Sequence, residues 1–232
     1  MIMNVLLTED QVKCIIKHML HNDGFKGESA MPPKTKFTRE EIIQAAFEMA
    51  REKGIEAVVA RELGKKLGTS SSPIFTAFKN MEEVQQEVRA LALKEFESCV
   101  SDALNYTPAF KYVGMKMIEF AMREPKLFQL IYMREREESQ SYEEMVVGLG
   151  DTVEVCVQIM QRDYGLDRKD AELLFKITWL HTFSICALVA NKVCHFSMEE
   201  ISEILSVSFQ GTLMLIKSGT FHTIPVNEQE KP

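Results

Sequence analysis

The chain has 232 residues, 46% of them hydrophobic, and a formal net charge of −7. That composition suits one large domain or two small ones with a proper core, and the chain shows no internal repeat or low-complexity segment. Charge is uneven: residues 31–80 carry nine Lys/Arg against six Asp/Glu, and residues 81–232 carry fifteen against twenty-four. A small basic segment on a larger acidic one suggests a polyanion partner for the first part only.

The five cysteines, Cys14, Cys99, Cys156, Cys186 and Cys194, form no CxxC pair. Mostly placed in apolar helical patterns, they read as buried free thiols in a reducing compartment, and the chain as cytoplasmic. The longest apolar stretch, residues 177–190, is too short to span a membrane and contains His181, Thr182 and Ser184. The start lacks a basic n-region and turns acidic at Glu9, unlike a secretory signal. No membrane is expected.

In chain order, residues 1–30 stand apart as an extension appended to the chain. Within it, "TEDQVKCIIKHML" is predicted as one short amphipathic helix with Val12, Ile15, Ile16 and Met19 on one face. "MPPKTKFTREE" then reads as a fresh start at Met31. Thr38 and Glu41 make a capping box before a helix that stops at Gly54. Its buried face is Ile42, Ala45, Ala46, Met49 and Ala50. "VVARELGKKLG" is a second short helix, ended by Gly68, and "SSSPIFTAFK" a third, with Ser70 as N-cap. Ile74, Phe78, Leu63 and Leu67 point inward. Two short helices joined by a glycine turn make a helix-turn-helix. A second capping box, Asn80 with Glu83, opens a longer run. Helices are predicted over 81–104, 108–123, 125–136, 142–163, 169–192 and 197–218, with Pro108 and Pro125 at first-turn positions. The tail, 221–232, should fray. The fold class is therefore all-α. An N-terminal three-helix head, residues 31–80, precedes a C-terminal helical bundle, residues 81–220, that serves as a regulatory body.

In a helix-turn-helix the second helix enters the DNA major groove and the first crosses the backbone. Lys65, Lys66 and Lys79 flank the turn, and Lys36 and Arg61 add cations nearby. The exposed start of the third helix suits phosphate oxygens. Ser71, Pro73 and Thr76 are expected at base edges; Ser70, Ser72, Lys65 and Lys79 are expected to hold phosphates. From residues 37 to 84, "ELGKKLGTSSSPIFTAFKNMEEV" after "REKGIEA" resembles the DNA-binding domain of TetR-type (tetracycline repressor-like) transcriptional regulators. "REPKLFQLIY" resembles a further element of that family. The resemblance implies a double-stranded DNA operator and a small-molecule effector. A homodimer is expected through the apolar faces of the helices near 169–192 and 197–218, as the resemblance also implies. It also exposes departures. Phe75 stands where the family often has a phosphate-binding Tyr, Met81 replaces a Lys, Val59 replaces a hydroxyl residue, and Ala77 replaces a polar residue.

In the body, Met117, Phe120, Phe128, Ile131, Tyr132 and Met145 suggest walls of an apolar ligand cavity, joined by Trp179 and His181 on a strongly apolar helix. Tyr132 and His181 would orient the ligand. His195 and Glu199 sit i, i+4, but no second cluster completes a metal site, and no cofactor is expected. With no Gly-rich phosphate loop, nucleophile elbow or HExxH, catalysis has no positive support. The expected function is a one-component repressor released from a near-palindromic operator by an apolar or amphipathic ligand. The alternative is an all-helical ligand carrier or enzyme with a degenerate head.

Overall fold

Thr38 starts the first helix. Its hydroxyl accepts the Glu41 amide at 3.2 Å, and the Glu41 carboxylate accepts the Thr38 amide at 2.8 Å, completing the predicted capping box. The computed structural model describes residues 37–106, 108–134, 138–139, 141–146 and 151–219, all in one compact unit. The extension 1–30, Lys36 and the tail 221–232 lie outside the described residues.

Helix α1 (Arg39–Lys53) buries Ile42, Ile43, Ala46, Phe47, Met49 and Ala50. Ala45, expected on that face, is half-buried. A short 3₁₀ turn (Ile55–Ala57) leads to α2 (Ala60–Lys66) and α3 (Ser72–Ala77). Two glycines shape the turn between them. Gly68 has φ +66°, in the left-handed region. Gly64, inside α2, would place a Cβ 3.0 Å from the Thr69 carbonyl oxygen and the Ser70 carbonyl carbon. The bare Cα lets the turn fold back, and the Thr69 amide donates to the Gly64 carbonyl at 2.9 Å. The sequence points to Ser70 as the N-cap, but Ser71 occupies that place. Pro73, lacking an N–H and with its φ preset, sits in the first turn and sets the helix start just ahead of itself. The Ser70 hydroxyl accepts only a long bond, 3.4 Å, from the Ser72 amide.

Helix α4 (Met81–Ser101) is capped by Asn80, whose side chain accepts the Glu83 amide at 2.9 Å. The predicted box is half made, because the Glu83 carboxylate turns to the Lys79 amide instead. The helix tightens into a 3₁₀ turn (Asp102–Asn105) where the sequence suggests it runs on to 104. The body continues with α5 (Ala109–Arg123), α6 (Pro125–Tyr132), α7 (Tyr142–Val146), α8 (Thr152–Tyr164), α9 (Arg168–Ala190) and α10 (Met198–Ser218). Pro125 opens α6 as expected, but Pro108 is the N-cap of α5 rather than part of its first turn. The helix predicted over 142–163 is described as α7 and α8; residues 147–150 between them lie outside the described residues. Ser197 and Glu200 form a capping box that starts α10.

One apolar stripe organises these elements. Val84, Val88, Ala92, Phe96 and Val100, each four residues apart on α4, are fully buried. The helix packs on α1 in the head and on α5 and α6 in the body. Helix α9 is long and apolar enough, by length and composition, to cross a membrane. Here it packs against α5, α6, α8 and α10, burying Leu174, Phe175, Trp179 and Ile185. Its buried Thr178 and Thr182 hydroxyls donate to the Leu174 and Thr178 carbonyls, at 2.6 and 2.9 Å, so no polar atom of theirs is stranded. Cys156 and Cys186 are buried free thiols, and burial pushes the Cys156 pKa up to about 12. Cys99 is half-buried, and Cys194, in the break that follows α9, is exposed.

Gly64→Ala tests the turn geometry. An exposed helical glycine gains about 1 kcal/mol on becoming alanine. Here the added methyl meets backbone, and forced packing of that kind costs about 1–3 kcal/mol. A net loss in stability by urea unfolding is expected; a higher midpoint would refute the close approach.

Candidate nucleic-acid interface and body cavity

The head presents its polar turn outward. Arg61, Lys65, Ser70, Ser72, Phe75, Thr76 and Lys79 are exposed, and Ser71 and Pro73 are half-buried, while Ile74, Phe78 and Leu63 form the inward side. Leu67, expected inward, is half-buried. The exposed residues of α3 and its flanks thus lie on the side opposite the core. Not all of them are equally available. Lys66 pairs with Glu48 of α1 at 3.2 Å, and it is the main reason the Glu48 carboxyl lies below the usual glutamate range, with Gln44 adding a hydrogen bond. The Thr76 hydroxyl donates to the Ser72 carbonyl at 3.0 Å, so toward a partner it offers lone pairs and its methyl group. Two apolar residues stand among the polar ones: Phe75 is 50% exposed and Val59 44%.

Sequence reading missed the residue that aims α3. Arg39, in the first turn of α1, donates Nη1 to the Ala77 carbonyl at 2.9 Å, at the C-terminus of α3. Its Nη2 reaches Glu83 at 2.8 Å and Glu87 at 2.9 Å, both on α4. The guanidinium lies 4.0 Å above the Phe78 ring. One side chain therefore fixes α1, the end of α3 and the start of α4 together. Glu83 completes the node by accepting the Lys79 amide at 2.8 Å, and that bond, followed by Arg39, holds its carboxyl below the usual range. Further down, Gln85 of α4 donates to the Val58 carbonyl at 3.2 Å, ahead of α2. Arg51 of α1 pairs with Glu95 of α4 and with Glu124, which precedes α6.

All the predicted ligand residues except His181 belong to one apolar core, in which the Tyr132 hydroxyl and the Trp179 indole N–H are buried without a hydrogen-bond partner among the described residues. Met117, Phe120, Phe128, Ile131 and Trp179 are buried, with Tyr132, Met145 and His181 half-buried. Their rings interlock: Phe120 and Tyr132 meet Phe96 edge-on at 5.2 and 5.4 Å, Phe128 lies 5.1 Å from Tyr132, and Trp179 stacks on Phe183 at 5.2 Å. Burial raises the Tyr132 and Tyr142 hydroxyl pKa values, keeping both neutral.

A cavity of about 230 Å³ opens elsewhere, between α5, α9 and α10, and none of those eight residues lines it. Phe110, Tyr164, Leu205, Phe209 and Leu213 supply its apolar wall. Thr178, Thr182, Ser208 and Lys111 supply polar groups. His181 touches the site indirectly, with its Nδ1 2.6 Å from the Ser208 hydroxyl. Helical periodicity marks α5 and α10 as amphipathic, but it does not say where two apolar faces fail to meet. Among the described residues, no three His, Cys, Asp or Glu side chains gather as a metal site.

Residues 42–88 match the model of the tetR family of bacterial regulatory proteins. The match lies in the head and the start of α4, and covers 47 of the 232 residues. Among solved structures, Thermus thermophilus FadR, a TetR-family transcriptional repressor in complex with lauroyl-CoA, is 18% identical. It covers 84% of this chain and 98% of its own, with a TM-score of 0.47. Apo ActR from Streptomyces coelicolor is 14% identical over 82% of this chain and 100% of its own, with a TM-score of 0.42. No curated protein matches the chain.

Arg39→Met keeps the stem over Phe78 and removes the guanidinium. Hydrogen exchange should then speed up at the α3 amides and remain unchanged in α9; equal protection in α3 would show that Arg39 does not hold it. In the wild type, the Glu83 contribution is complete above the ordinary glutamate pKa and fades only as pH falls through its lowered one.

Proposed function

We propose that the chain, with its TetR-type head, is a one-component transcriptional regulator that acts as a repressor on a near-palindromic operator. The observation that carries the reading is the outward face of α3 and its flanks, held by Arg39 to the long helix that runs into the body. Lys65, Lys79 and Arg61 would meet phosphates, and these contacts position without specifying sequence. Ser71, Pro73 and Thr76 would face base edges, with the Thr76 methyl suited to a thymine methyl. Phe75 would add apolar contact where a tyrosine would have bonded a phosphate.

A repressor of this kind works as a homodimer, and two helices favour that here. On α10, Val207, Gly211, Met214 and Leu215 form one exposed stripe at three- and four-residue steps, with Val207 66% and Met214 72% exposed. On α9, Leu180 and Ser184 are exposed in line with half-buried Leu173 and Ile177. Two copies pairing these helices would make a four-helix interface and set two α3 helices about 34–36 Å apart, one turn of DNA. A small apolar or amphipathic effector in the body would release the operator by favouring the body conformation in which the heads no longer fit successive grooves.

A second reading, an all-helical ligand carrier or enzyme with a degenerate head, draws on exposed Phe75 and Val59 and on the loss of Lys66 to Glu48. Titrating the full chain against its own upstream DNA and a scrambled fragment at low salt separates the two. Preference for the upstream fragment supports the regulator, and equal binding supports the carrier. Lys65→Ala should weaken both DNAs alike and reduce the salt slope by about 1, whereas Thr76→Ala should change the preference between sequences. Light scattering should report a dimer at micromolar concentration for the wild type and a monomer for Met214→Glu; a monomeric wild type would remove the dimer.

A further inference from the structure

The cavity between α5, α9 and α10 has a chemistry of its own. Its apolar side is aromatic: Phe110 lies 5.4 Å from Phe209, which lies 5.2 Å from Tyr164. At about 230 Å³ it exceeds the ~150 Å³ that an apolar cavity needs to hold benzene. It accommodates one ring or a chain of medium length. Tyr164 and Gln210 also line it and can donate, while the hydroxyls of α9 and α10 are largely committed. Thr178 and Thr182 give their protons to carbonyls of α9, and Ser208 shares a short contact with His181. Toward the cavity these threonines offer lone pairs and methyl groups, and no proton.

Lys111 is different. It lines the cavity, is half-buried, and makes no ion pair among the described residues. It also sits in the first turn of α5, which contains no acidic residue. A cation there opposes the helix dipole, so nothing within α5 favours its placement. An anionic group beside Lys111 would gain from both the ammonium and the positive helix end, while an apolar remainder lay against Phe110, Leu205, Phe209 and Leu213.

We infer that this cavity, resting on the regulator reading above, is the effector site and takes a small amphipathic acid: one carboxylate held by Lys111 and a single ring or medium chain against the aromatic wall. Leu205, Phe209 and Leu213 belong to α10, whose opposite side carries the exposed stripe. Occupancy would therefore act on the same helix that pairs two copies, rather than through the aromatic core around Phe128.

Calorimetric titration of the full chain with sodium octanoate, and with 1-octanol as its neutral counterpart, tests this without DNA. Octanoate should bind, and Lys111→Gln should weaken it about tenfold while leaving octanol unchanged, since a charge-assisted contact is lost. Leu205→Trp should fill the cavity and abolish binding of both; Ser206→Phe, at a half-buried lining residue, serves if the tryptophan variant does not fold by thermal melt. Phe128→Ala should lower the melting temperature and leave octanoate affinity alone. The proposal is overturned by octanoate failing to bind at millimolar concentration, by unchanged affinity in Lys111→Gln, or by binding that survives the filled cavity. Octanoate should also shift upstream-DNA affinity about 5–150-fold. If it binds as described and DNA affinity does not move, the site is not the effector site. If the wild type prefers no DNA at all, the regulator reading falls and the acid site stands.

Discussion

Everything in this molecule leans on a single stripe of α4. Val84, Val88, Ala92, Phe96 and Val100 repeat every four residues, and each is fully buried. Each four-residue step advances about 40° around a helix of 3.6 residues per turn, so from Val84 to Val100 the buried positions wind through about 160°. The upper part faces the head and the lower part the body, and both belong to one continuous core. Head and body thus share an apolar helix face instead of being joined by a linker. A polar residue in the middle of that face would weaken both.

Polar contacts then fix the angle that apolar packing leaves loose. Hydrophobic contact is non-directional, so it brings α3 close to α1 and α4 without aiming it. Arg39 adds direction through three hydrogen bonds and a ring contact, and Glu83 ties in the Lys79 amide. Arg51, reaching Glu95 and Glu124, does the same at the other end of α1. Exposed ion pairs of this kind contribute little individually. Gathered on two arginines that each touch several elements, they define an orientation more than they add stability.

The last two helices carry a different tension. Helix α10 has an apolar inner side and an exposed apolar outer side, so packing one body cannot bury it. Large exposed apolar residues in line mark an interaction surface. The inner side does not close completely on α5 and α9, leaving a cavity behind the same helix. Its neighbour, the ring cluster of Phe96, Phe120, Phe128, Tyr132 and Trp179, is held by edge-on, tilted and stacked aromatic contacts. Aromatic and methionine content alone does not tell a pocket from a core.

Local features were legible from the chain itself. The Thr38–Glu41 box, the Asn80 cap, the turn at Gly68 and most of the buried face of α1 all depend on residues within a few positions of one another, where backbone geometry leaves few choices. The all-helical class and the helix-turn-helix follow from those pieces. Only tertiary structure decided the rest. Arg39 lies 38 residues from Ala77 and 44 from Glu83. Glu83 left its capping partner for a backbone amide and a distant arginine. Lys66 was drawn back to Glu48. The cavity behind α10 formed where three helix faces met imperfectly. Periodicity states which face of a helix avoids water; which faces then meet, and how completely, depends on the shapes of side chains brought together from distant parts of the chain.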